Sequence, residues 1–102
     1  MIGILGGTGL YRMEELALDE EREVGTPFGA PSSKLMLGRL RGQPVAFLAR
    51  HGIHHDRLPG EINFRANIWA LKSVGVRTVV GVSATGSLRT GLKPGDLALP
   101  SQ

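Results

Sequence analysis

Residues 1–5, Met-Ile-Gly-Ile-Leu, form a short apolar run that stops at Gly6-Gly7-Thr8-Gly9. An apolar run of this length bounded by glycines reads as a buried strand feeding a tight turn, because glycine alone adopts left-handed torsions without steric cost. A second buried strand is predicted over 77–84, where Val79, Val80 and Val82 dominate. Between them Asn63 can cap a helix that continues to Val74, with Phe64, Ile68 and Leu71 at helical spacing beside Ala66, Trp69 and Ala70, and Gly75 as the left-handed stop. Phe64 and Trp69 are read as core on the helix face. Strand, helix and strand with β-branched interiors give an α/β fold with a mixed, mostly parallel central sheet and flanking helices.

The rest of the chain fits around that frame. Residues 34–40 and 44–49 flank Arg41-Gly42-Gln43 and suggest a hairpin. Residues 10–18 can hold a brief helix, whereas 16–24 mixes acids with Leu and Val too irregularly to assign. Residues 26–33, Thr-Pro-Phe-Gly-Ala-Pro-Ser-Ser, are a loop because two prolines and a glycine stop any ladder. Residues 97–99 after Pro94-Gly95-Asp96 begin a further strand. A parallel sheet ending there leaves apolar surface and a strand edge uncovered, so the fold is expected to be incomplete within these 102 residues, which form part of one domain.

Composition narrows the classes. Hydrophobic residues at 41% and charged residues at 21% suit a globular protein, and no apolar stretch approaches bilayer length. No cysteine is present, so disulfides and thiolate metal sites are excluded; with no secretory leader and no Asn-x-Ser/Thr, a cytoplasmic protein is expected. The net charge is +3, but six of nine acids lie between Glu14 and Glu23, which leaves eleven bases against three acids elsewhere. That balance attracts phosphate, nucleic acid or an acidic partner without choosing among them. Nucleic acid is the weaker reading, since neither a compact basic cluster nor an aromatic platform is present.

Three polar patches follow predicted strands: residues 6–10, 50–56 and 83–87. Ligands of open α/β sheets bind beyond the carboxyl ends of the strands, so the three could converge. Two offer glycine-exposed N–H groups and a hydroxyl, which suits an oxyanion. In the third, Arg50 can make two parallel bonds to a phosphate beside a His51 that can donate one. The competing reading pairs Arg50 with Asp56 or Glu61 on the loop surface. Gly6-Gly7-Thr8-Gly9 could cradle phosphate, open a dinucleotide site or simply turn the chain; Arg12 stands where the dinucleotide fingerprint needs another glycine. His51, His54, His55 and Asp56 raise the question of metal, but Gly52 and Pro59 oppose the regular helix that two histidines four apart would need, and no metal is expected. Ser83 and Ser87 sit in no nucleophile elbow.

Read together, Ile4-Leu5-Gly6-Gly7-Thr8-Gly9-Leu10, Thr26-Pro27-Phe28-Gly29-Ala30-Pro31-Ser32, Phe47-Leu48-Ala49-Arg50-His51-Gly52, residues 62–71 (Ile-Asn-Phe-Arg-Ala-Asn-Ile-Trp-Ala-Leu), Ser83-Ala84-Thr85-Gly86-Ser87-Leu88 and Pro94-Gly95-Asp96 resemble the methylthioadenosine phosphorylase branch of the trimeric purine nucleoside phosphorylases. The resemblance implies a phosphate site of Thr8, Arg50, His51, Ser83 and Ala84, with His55 near the phosphate or ribose. Relatives often carry Thr at position 83, where this chain keeps a hydroxyl, and a basic residue at position 53, where it has Ile. The implied reaction needs no cofactor: inorganic phosphate is a co-substrate that attacks a purine nucleoside, releasing the free base and a ribose 1-phosphate. The implied partners are those two small molecules, with neither nucleic acid nor membrane, and a homotrimer at full length. Residues that select and protonate the purine fall, in this family, beyond position 102, so the catalytic group is unassigned. A non-catalytic anion-binding module and a fragment of an NAD-dependent oxidoreductase are the alternatives.

Overall fold

The computed structural model describes residues 1–7, 9–10, 14–54 and 56–101. Five strands, β1 (Ile2–Gly6), β2 (Leu16–Arg22), β3 (Leu35–Leu40), β4 (Gln43–Ala49) and β5 (Thr78–Gly81), join one sheet in the order β2-β3-β4-β1-β5. A 3₁₀ turn at Pro59–Glu61 and the helix α1 (Phe64–Ser73) lie between β4 and β5. β1 pairs in parallel with β4 and β5, whereas β3 runs antiparallel to both β2 and β4. Only β3 therefore opposes the common direction, and the sheet is mixed but mostly aligned, as the strand pattern predicts.

The hairpin forms where expected. Arg41 (φ 49°) and Gly42 (φ 81°) both occupy the left-handed region, which matches the twist of a tight two-residue turn and fixes the pairing of Leu40 with Gln43. Asn63 caps α1, its Oδ1 accepting from Ala66 N–H at 3.1 Å. Gly75 (φ 102°) ends the helix and lets Val76 N–H return to the Leu71 carbonyl.

The central strand β4 is covered on both faces, so residues 45–49 are all buried. On one face Leu5, Leu35, Ala46 and Leu48 pack with Ala70, Leu71 and Val76; on the other Met36, Phe47 and Ala49 pack with Ile4, Leu10 and Ile53. α1 approaches closely through small residues. A side chain on Gly3 would meet Val76 at 2.8 Å and Leu71 at 3.3 Å, and the helix turns Ala66, Asn67, Ala70 and Leu71 toward the sheet.

Four expectations need correction. Phe64 (56% exposed), Ile68 (48%) and Trp69 (38%) face outward, because the face α1 turns to the sheet is the one that carries Ala66, Asn67, Ala70 and Leu71. With Phe28, Arg65 and Lys72 they line an open groove of about 450 Å³. β5 is shorter than 77–84 and exposed throughout, since β1 is its only partner among the described residues. Residues 97–99 form no strand; Leu97 and Leu99 are almost fully exposed. Residues 16–18 are strand rather than helix, while Tyr11, Arg12 and Met13 lie outside the described residues. The total accessible surface is 7423 Å², against roughly 5,600 Å² for a compact monomer of this mass. The excess sits on the outward face of α1, on β5 and on residues 82–101.

Leu71 is fully buried and Ile68 is half exposed on the same helix. Leu71→Ala is expected to lower unfolding free energy by about 2–5 kcal/mol, and Ile68→Ala by no more than about 0.5 kcal/mol. Urea unfolding followed by helix signal checks both; equal losses would show that the outward stripe is packed after all.

Candidate anion site at the carboxyl ends of the strands

The parallel registers decide which loops meet. Gly6 stands opposite Ala49, and Leu5 opposite Gly81, so the chain leaves β1, β4 and β5 at one common end of the sheet. Two backbone bonds prolong these ladders: Arg50 N–H donates to the Gly6 carbonyl at 3.0 Å, and Val82 N–H to the Leu5 carbonyl at 2.8 Å. The Leu5 carbonyl accepts a second bond, from Arg50 Nη2 at 3.1 Å. Both of its lone pairs are thereby used, and they tie together side chain and backbone from three segments.

Arg50 is half-buried, at the start of the turn after β4. Its guanidinium reaches over the end of β1 toward β5, where an ideal Cβ on Gly81 would lie 3.6 Å from Nη2. Among the described residues it pairs with neither Asp56 nor Glu61, and Glu61 Oε1 instead accepts from Leu58 N–H at 2.9 Å. A guanidinium has five N–H donors, and one carbonyl occupies one of them. The remainder suits an oxyanion, which takes two parallel bonds from the planar fork.

His51 is half-buried next to Arg50, with its Nδ1 3.1 Å from the Arg57 carbonyl, while Arg57 N–H donates to the His51 carbonyl at 3.1 Å. These reciprocal contacts hold the 51–57 loop closed and set the plane of the imidazole. Gly52 (φ 86°) allows the sharp bend, its N–H returning to the Ala49 carbonyl at 3.1 Å. Ser83 and Ala84 follow Val82 just past the end of β5 and are exposed; among the described residues neither bonds Arg50. Thr8 and His55 lie outside the described residues, although Leu10 N–H donates to the Gly7 carbonyl at 3.2 Å beside the first of them. The structure thus brings Arg50, His51 and the Gly6-Gly7 turn together and places Ser83 and Ala84 at the same end of the sheet. No group of three or more His, Asp or Glu side chains suited to a metal occurs among the described residues.

Charge is segregated across the sheet. The acidic residues of β2 pair locally, Glu20 with Arg22 at 2.8 Å and Asp19 with Arg39 at 3.2 Å. β3 and β4 separate them from β1, a lateral distance of about 14 Å at the usual strand spacing, beyond the Debye length of about 8–10 Å in physiological salt. The β2 acids therefore do little to offset the charge of Arg50, and Asp56, whose carboxylate lies against Gly52, is the nearer acid.

Two supports went unseen in the sequence. Ser33 Oγ accepts from Ala49 N–H at 3.1 Å, and buried Asn67 holds Ser32 with a bond from Ser32 N–H at 2.8 Å and one to Ser32 Oγ at 3.0 Å. The available signal was a polar residue on the stripe of Ala66, Ala70 and Leu71; its partner, 35 positions away, has none.

The whole chain, residues 1–102, matches the Phosphorylase superfamily, to which it belongs. Within that superfamily it is similar to S-methyl-5'-thioadenosine phosphorylases. The S-methyl-5'-thioadenosine phosphorylase of Thermosynechococcus vestitus is 54% identical over 101 residues, spanning 99% of this chain and 35% of the relative. That of Hyperthermus butylicus is 52% identical over the same length, 37% of the relative. Among solved structures, a methylthioadenosine phosphorylase from an antarctic soil metagenomic library superposes with a TM-score of 0.84 at 52% identity, over 91% of this chain and 32% of that one. Methylthioadenosine phosphorylase from Schistosoma mansoni in complex with adenine gives 0.82 at 41% identity, over 93% and 34%. The chain spans about a third of the length of the relatives it matches. Membership in this superfamily sets aside the oxidoreductase alternative, and no described helix is long and apolar enough to cross a membrane.

Arg50→Ala is expected to weaken inorganic phosphate binding about 10- to 100-fold, the scale of a lost hydrogen bond to a charged group. Titration of the 102-residue chain with phosphate, followed by amide shifts, measures it; unchanged affinity removes Arg50 from the site.

Proposed function

We propose that the chain is the phosphate-binding, amino-terminal part of a single phosphorylase domain that cleaves 5'-methylthioadenosine or a related purine nucleoside. The observation that carries this reading is the Arg50 guanidinium held by the Leu5 carbonyl where β4, β1 and β5 end together. Thr8, Arg50, His51, Ser83 and Ala84 would supply hydroxyl, guanidinium, imidazole and backbone donors to phosphate, with His55 near phosphate or ribose.

In the reaction, a phosphate oxygen bonds to the anomeric carbon while the bond from that carbon to the purine nitrogen breaks and its electron pair leaves with the base. With methylthioadenosine the products are adenine and 5-methylthioribose 1-phosphate. Phosphate is the nucleophile, so the protein needs no nucleophilic side chain and no cofactor. Its task is to hold the anion beneath a ribosyl ring that gains positive charge, where the anion both attacks and stabilises. A homotrimeric assembly, a cytoplasmic location and a part in purine salvage belong to the same reading and rest on the resemblance of the six sequence words.

The relatives are about three times as long, and the resemblance implies that base protonation falls to residues beyond position 102. General-acid help is typically worth about 10²–10⁴-fold in rate, so the 102 residues alone are expected to bind phosphate without turnover. Two measurements check this. Phosphate or sulfate should shift the amides of Gly7, Gly9 and His51 saturably while NAD does not; saturable NAD binding there would sink the phosphorylase reading of the glycine turn. Incubation with methylthioadenosine and phosphate should release no adenine; release by chain freed of host phosphorylase would show that these residues hold the complete chemistry.

A further inference from the structure

We infer that the Ser32-Ser33 pair, locked to α1 by Asn67, is a positioning latch that sets where Arg50 presents its guanidinium; the inference rests on the proposed phosphate role of Arg50. The last registered pair of the β3–β4 ladder is Met36 with Phe47, and beyond it the Ser33 hydroxyl takes the place of a strand partner. It accepts from Ala49 N–H at 3.1 Å and donates to the Lys34 carbonyl at 2.9 Å, so both its own capacity and the Ala49 donor are satisfied. Ala49 is the residue on which Arg50 pivots. On the far side of Ala49, Gly52 lies in ordinary contact range of the Ser32 carbonyl, 3.5 Å from a Cβ built there, and closer still to the Asp56 carboxylate. Ser32 and Ser33 thus brace the turn on both sides of Arg50.

Ser32 is in turn fixed from α1. Asn67 is wholly buried, and its amide holds Ser32 by two antiparallel bonds, 2.8 Å from the backbone N–H and 3.0 Å to the hydroxyl. One turn earlier, Asn63 Nδ2 donates to the Phe28 carbonyl at 2.8 Å. Asparagines four apart on one helix therefore grip both ends of the 28–32 segment. A buried amide with two satisfied bonds tolerates little displacement, because shifting it strands polar groups away from water. Position passes from α1 through Ser32 and Ser33 to Ala49, and then to Arg50, which itself touches neither α1 nor Asn67.

The test compares Ser33→Ala with Ser33→Thr in the 102-residue chain, reading the Arg50 and Gly52 amides, the Arg50 Nε–H signal and phosphate affinity. Ser33→Ala should move those signals and weaken phosphate about tenfold, the order of one hydrogen bond whose partner stays unsatisfied, while Leu37 and Ala70 keep their positions. Ser33→Thr, which retains the oxygen, should restore both readouts. If Ser33→Ala does not fold, Ser33→Cys places a weaker acceptor at the same point and should give a smaller shift in the same direction. Unmoved Arg50 signals with native phosphate affinity would overturn the latch, as would a uniform shift across the sheet that Thr fails to reverse. If the native chain binds no phosphate while Ser33→Ala still moves the Arg50 signals, the phosphate reading fails and the latch stands.

Discussion

The Leu5 carbonyl is the point on which the functional end of this sheet depends. A carbonyl oxygen has two lone pairs, and here one receives the Val82 amide and the other the Arg50 guanidinium. The first continues the β1–β5 ladder; the second draws a side chain from the end of β4 across the end of β1. Strand registry and cation placement are therefore not independent. A slip of one residue in either parallel ladder would turn every side chain to the opposite face and leave the guanidinium without its carbonyl.

Around that point the fold divides its labour by face and by edge. One face carries α1 at close range through Ala66, Ala70 and Gly3, and the other carries the loop residues Leu10 and Ile53 against Phe47. The buried amide of Asn67, on the same stripe as Ala66, Ala70 and Leu71, reaches the loop that supports the Arg50 turn. Asp19 and Glu20 on β2 find arginines twenty and two positions away and lie beyond screening distance of Arg50.

Much of this was legible wherever the signal was local. The hairpin and α1 follow from Arg41-Gly42, Asn63 and Gly75, because each names a torsion or a cap that the neighbouring residues must respect, and β1 follows from the apolar run that stops at Gly6-Gly7. The outward turn of Phe64, Ile68 and Trp69 was not legible: α1 has two apolar stripes, and periodicity cannot tell which of them faces a sheet. Gly3 marks the close approach, since a side chain there would meet Val76 at 2.8 Å and Leu71 at 3.3 Å. β5 was misread as buried for a related reason, since valine content reports a strand but not how many neighbours it has. β2 escapes the sequence pattern because its charges fall in one run, Asp19 to Arg22, rather than on alternate positions. Of the candidate site, Arg50 and His51 could be found from strand end and chemistry, whereas the help of Ser33 and Asn67 crosses 16 and 35 positions and leaves no trace in spacing.

The two borders of the sheet differ in kind. β2 presents Asp19, Glu20 and Glu21 along its length, a charged margin that repels a like strand laid against it. β5 presents Thr-Val-Val-Gly, with no charge and no strand beyond it among the described residues. Contact between two such chains through β5 would consume the receptive border of each and leave only acidic margins outward. Charged margins of that kind resist a further strand, so the two borders of this sheet carry opposite tendencies toward edge pairing.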